Sequence, residues 1–151
     1  MRRSYLILLI AVCLVVFLGV SAILARVFSI DGAERAAITA LVQAEARGDQ
    51  AGMIKQLYHC GDPACRQRVA YDAARLRLPG GVSIILINPS AGFSLTGSTG
   101  TARVAWSAGN SLPVVQCVKV QRAGNALSGL RIRLLKIGKR IKSDTACPAK
   151  Y

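Results

Sequence analysis

The chain has 151 residues, with 20 lysines and arginines against 7 acids, for a formal net charge of +13. That length leaves room for one modest core rather than two. A single histidine excludes a His-rich metal centre, and the shortage of acids leaves no candidate site for a hard cation.

Tyr5 to Ala25 contains no charged residue. As a helix it is about 31 Å long, the thickness of a bilayer core. Arg2, Arg3 and the amino terminus precede it and only Arg26 follows closely. This bias favours an internal amino terminus and an external domain. Val20-Ser21-Ala22 also suits a signal peptidase, but the apolar run continues past that point. We therefore read residues 1–26 as an uncleaved transmembrane signal-anchor and 27–151 as an extracytoplasmic domain. Cleaved or not, the domain is exported.

Arg26 to Ile30 span about 17 Å at most when extended, so the domain starts close to the lipid, or the helix simply continues. Asp31-x-x-Glu34 resembles a capping box. Ile38, Leu41, Val42 and Glu45 then follow helical spacing, up to a stop at Gly48. Asp49 is placed to cap a second short helix, with Met53, Ile54, Leu57 and Tyr58 as its apolar face. Asp62-Pro63 signals a third, with Cys65, Val69, Ala73 and Leu76 on one side, stopped at Pro79-Gly80-Gly81.

From there the period changes from 3.6 to 2. Val82–Ile87, Phe93–Thr96, Thr101–Ser107, Val114–Arg122 and Leu127–Ile137 read as strands, and Gly97-Ser98-Thr99-Gly100 as a turn between two of them. Helices followed by a run of antiparallel strands predict an α+β domain: three helices packed on a curved sheet of about four strands.

Four of the five cysteines, Cys60, Cys65, Cys117 and Cys147, fall in the domain, and Cys13 falls in the apolar run. An even number in an exported region reads as a disulfide framework. Four cysteines allow three pairings; we favour 60–65 with 117–147. The C-x4-C spacing departs from the redox C-x-x-C. A zinc site built on His59, Cys60, Cys65 and a distal cysteine departs from the usual knuckle spacing.

No other motif points to chemistry. His59 reads as a surface or capping residue, and no lipase-type elbow or phosphate loop is present. Trp106 and Phe93 read as core or pocket aromatics. Charge is concentrated late: residues 79–151 hold ten Lys/Arg and one acid, a balance of +9. Lys136, Lys139, Arg140 and Lys142 form the densest cluster, which either solvates a sheet edge or meets lipid headgroups or another envelope polyanion.

The first helix, Asp31 to Asp49 with its Ala46-Arg47-Gly48-Asp49 end, followed by two shorter helices and about four long antiparallel strands, resembles the nuclear transport factor 2-like superfamily. The likeness covers about residues 31–137 and rests on topology more than on a motif. It implies a cystatin-like α+β cone. Small membrane-anchored members occur in bacterial cell envelopes, some with lipid-uptake complexes. The superfamily includes isomerases, cyclases and non-catalytic binding domains, so fold does not choose a function. Its enzymes place acids inside the cone, and the strand half here offers only Asp144. No catalytic residue, cofactor or metal is carried over.

The expectation is a membrane-tethered binding or assembly domain for an envelope protein partner or a small apolar ligand. Its cone would be lined by Leu41, Leu57, Val69, Val104, Trp106, Val118 and Ile132. Two alternatives are a basic domain for envelope polymers, lipid headgroups or nucleic acid, and a small isomerase or cyclase using His59 or Asp72. A cone filled with side chains would favour a protein partner over a ligand.

Overall fold

The computed structural model describes residues 2–91, 96–125 and 129–148. Phe93, Leu127 and Ser128, and with them most of the Phe93–Thr96 strand, lie outside the described residues.

The apolar run and the first domain helix are one element, α1 (Arg2–Arg47), about 69 Å of continuous helix. This corrects the expected separate cap at Asp31. Gly32 costs about 1 kcal/mol against alanine, too little to break a helix propagating from both sides. Asp31 and Glu34, free of capping duty, turn to the sheet. The helix is long and apolar enough to cross a membrane. Beyond that run Ile30, Glu34, Ile38, Leu41, Val42 and Glu45 form its buried stripe. Gly48, at φ 71°, ends it: Gly48 N–H donates to the Glu45 carbonyl at 2.8 Å and Asp49 N–H to that of Ala44 at 2.8 Å. This is the two-bond cap for which glycine is favoured.

Asp49 then caps α2 (Gln50–Gln56) by accepting from Gly52 N–H at 2.8 Å. Leu57 is not part of that helix. It bridges to Leu134, and Tyr58 N–H donates to the Leu134 carbonyl at 2.6 Å. Asp62 caps α3 (Pro63–Arg75) through Cys65 N–H at 2.8 Å.

Strands β1 (Val82–Asn88), β2 (Thr96–Ala108), β3 (Val114–Asn125) and β4 (Gly129–Ile137) form one antiparallel sheet in the order β1-β2-β3-β4. The register shifts by a residue between Ile84 and Leu86 and between Lys119 and Val120. The glycine turn expected at Gly97–Gly100 is instead strand: Ser98 pairs with Arg122 and Gly100 with Val120. The glycines there serve close approach, since a Cβ on Gly100 would collide with the Ser90 carbonyl oxygen.

Ala102, Val104 and Trp106 of β2 and Val118 and Val120 of β3 meet Ile38, Leu41, Met53 and Val69 in one core. After β4 the tail keeps pairing with β3. Gly138 N–H donates to the Cys117 carbonyl and Ile141 N–H to that of Val115, each at 2.8 Å. Arg103 reaches the Ser143 carbonyl. Disulfides join Cys60 to Cys65 and Cys117 to Cys147, with Cα separations of 5.4 and 5.8 Å.

Candidate functional site: a buried carboxylate pair beside a basic cavity

The core stripes of α1 and α3 each carry an acid inward. Glu45 and Asp72 are 0% and 1% exposed. Across from Glu45, Gln116 of β3 is also fully buried. Trp106 Nε1 donates to Gln116 Oε1 at 3.0 Å, and Gln116 Nε2 donates to Glu45 Oε1 at 2.8 Å and to the Gly138 carbonyl at 3.4 Å. A chain of hydrogen bonds thus runs from β2 through β3 to α1. Glu45 Oε2 and Asp72 Oδ2 have no hydrogen-bond partner.

Burial pushes the Glu45 carboxyl up to about 8; the Gln116 amide opposes the shift and the Asp72 charge adds to it. Asp72 is pushed up to about 6, again by burial, with Arg68 and Lys139 pulling the other way. Glu45 is therefore held largely neutral at pH 7, which lowers the cost of a carboxyl in the core.

Beside this pair lies a cavity of about 530 Å³, walled by α3, the end of β4 and the tail. Val69, Ile137, Ile141 and Pro148 contribute apolar surface, and Arg68, Lys136, Lys139 and Arg140 contribute positive charge. Arg68 lies 3.7 Å from Asp72 and 5.5 Å from the Tyr71 ring centre. The two cations acting on the buried Asp72 therefore both border the cavity. Arg140 also donates to the Pro113 carbonyl at 3.3 Å. With Ile141 and Lys142 it borders a second cavity of about 500 Å³ near Leu112.

The expected cone lining lies elsewhere. Leu41, Leu57, Val104, Trp106 and Val118 are packed into the core, and Ile132 packs against it partly buried. Of the seven, Val69 alone borders the larger cavity. These side chains belong to one buried cluster that joins the helices to the sheet. His59 is exposed at φ 58°, its ring edge-on to Tyr58 at 4.0 Å. Among the described residues no three His, Cys, Asp or Glu side chains gather around a metal position.

At the other end of the buried stripe, Arg122 of β3 meets α1. Its Nη2 lies 2.6 Å from Asp31 Oδ1 and 2.8 Å from Glu34 Oε2. Glu34 also accepts from Ser90 N–H at 2.7 Å and from Ser90 Oγ at 3.1 Å. Every oxygen of this buried carboxylate is satisfied, in contrast to Glu45.

The sequence offered Asp72 as a candidate acid and put Glu45 at helical spacing, but Glu34 was read as a cap and inward acids were sought on the strands. The signal was present: Glu34, Glu45 and Asp72 each fall on an apolar helical stripe, at 30-34-38-41-45 and 69-72-73-76.

The chain matches no family model, no curated protein and no solved structure.

Proposed function

We propose that this is a single-pass, membrane-tethered extracytoplasmic domain that binds a small apolar ligand without transforming it. The observation that carries the reading is the cavity of about 530 Å³ between α3 and the tail, within the range of about 300–1,000 Å³ of small-molecule sites. The filled core by itself favours a protein partner; the cavity beside it brings the ligand forward. Two disulfides suit an oxidising compartment, and Arg2 and Arg3 before the apolar run suit a cytoplasmic amino terminus. The order of three helices followed by an antiparallel meander supports the nuclear transport factor 2-like resemblance.

Gly138, at the cavity wall, accepts from the same Gln116 amide that binds Glu45. Glu45 stands about 30 Å beyond Ala25 along the helix. The ligand would thus be held well above the lipid surface, suiting a carrier or presenter more than a headgroup sensor.

The test is photolabelling of the full chain in lipid nanodiscs with a neutral twelve-carbon alcohol bearing a diazirine. Labelling of peptides spanning 64–69 and 136–148 is expected. Ala64→Trp, a change at an exposed helical position on the cavity wall, should abolish it. Labelling confined to residues 5–25 refutes the reading.

A second reading, acid–base catalysis of the isomerase type, draws support from the buried Glu45 and Asp72 and their unpartnered oxygens. It stands second because neither carboxylate borders the cavity. Turnover of a candidate ketone by wild type but not by Asp72→Asn would reverse the order.

A further inference from the structure

We infer that the ligand of the cavity between α3 and the tail is an amphiphile with an anionic head, seated against Arg68 and Lys139, its chain on Val69, Ile137 and Ile141. The inference rests on the reading above that the cavity binds a ligand through its apolar wall, and it adds an anionic head to that ligand.

Charge around the cavity is one-sided. Arg68, Lys136, Lys139 and Arg140 border it, against one carboxylate, Asp62. That carboxylate is already engaged, since Asp62 Oδ1 caps α3 through Cys65 N–H at 2.8 Å. Arg140 is partly engaged too, with the Pro113 carbonyl at 3.3 Å. Arg68, Lys136 and Lys139 are left to act on a guest, and of these Arg68 and Lys139 also act on the buried Asp72.

Arg68 is also held in place. Asp72, with a side chain 2% exposed, pairs with it at 3.7 Å, and the Tyr71 ring lies 5.5 Å beneath its guanidinium. A cation fixed by a buried carboxylate loses little freedom on meeting an anion, and its planar fork suits carboxylate and phosphate alike. Neither partner exhausts it, because its own side chain remains 29% exposed.

The remaining wall is aliphatic. Ala64, Val69, Ile137, Ile141 and Pro148 surround a cavity of about 530 Å³ and offer little for a polar guest to bond. A wholly polar anion would leave this surface wet, and a neutral hydrocarbon would leave two cations facing an apolar group. An amphipathic anion satisfies both.

The experiment uses the full chain in nanodiscs of zwitterionic lipid and three diazirine probes sharing one twelve-carbon chain. Their heads are a carboxylate, a phosphate and a neutral alcohol. The two anions are expected to label the 64–69 and 136–148 peptides at a concentration at least about tenfold below the alcohol. The better of the two identifies the head group. Arg68→Gln should reduce that preference several-fold and Arg68→Lys should restore part of it. Because Arg68→Gln also strips the buried Asp72 of its partner, the exposed Lys139→Gln variant carries the same test should the first fail to fold. Equal labelling by the alcohol and both anions overturns the inference while leaving the binding function standing. Absence of labelling by all three overturns the binding function itself.

Discussion

Glu34 and Arg122 are 88 positions apart in the chain, and Glu34 Oε2 accepts from Arg122 Nε at 3.0 Å and from Nη2 at 2.8 Å. Both side chains are almost wholly out of water, at 1% and 2% exposure. The pair ties the turn of α1 that follows the apolar run to the third strand.

Removing one partner strands the other. Arg122→Ala is expected to destabilise the domain by about 3–5 kcal/mol, measured by urea unfolding. Arg122→Leu combined with Glu34→Leu should cost clearly less than either change alone. Asp31 is 45% exposed in its side chain, so Asp31→Ala should cost no more than about 1 kcal/mol. A double variant worse than both single ones would contradict this account.

Stability should fall as pH rises. The unfolded chain loses the Asp72 and Glu45 protons near their ordinary values of 3.8 and 4.5, whereas the folded domain keeps them to about 6 and about 8. Between those limits the native state binds more protons, so stability is greatest below about pH 4 on account of these groups. It declines through neutrality and levels off above about pH 8. Glu45→Gln, which preserves an acceptor for Gln116, should leave stability at about pH 4 unchanged and raise it at pH 8. A variant that follows the wild-type slope from pH 6 to 8 would remove Glu45 as the cause.

Breaking the Cys117–Cys147 bond by a double change to serine should cost about 4 kcal/mol on loop entropy. It should also weaken probe labelling in the cavity, because it frees the tail that supplies Gly138 to Ile141 and Pro148 to the wall. The Cys60–Cys65 loop is short, and its loss should cost only about 2 kcal/mol. Undiminished labelling after release of the tail would show that the tail is not part of the site.

A reporter enzyme that matures only outside the cytosol, fused after Tyr151, should be active in intact cells, and a fluorescent protein that needs the cytosol should stay dark. The reverse pattern would place the domain inside, where two disulfides have no stable home.

Features that depend on neighbours within a few residues were legible from the chain alone. The uncharged stretch from Tyr5 to Ala25, the caps at Asp49 and Asp62 and the alternation from Ala102 to Trp106 all follow from helical period, strand period or a side chain reaching its own backbone; the disulfides were expected from an even cysteine count in an exported region. Folding in three dimensions settled the rest. Asp31 and Glu34 look like a helix start until a strand 88–91 positions later brings Arg122 to them and the helix runs on unbroken. Glu45 and Asp72 fall on apolar helical stripes, but only the packed core buries both and leaves an oxygen of each without a partner. The cavity forms where the tail, paired to β3 and joined to it by the Cys117–Cys147 disulfide, returns beside α3, and no local periodicity encodes contacts between segments so distant.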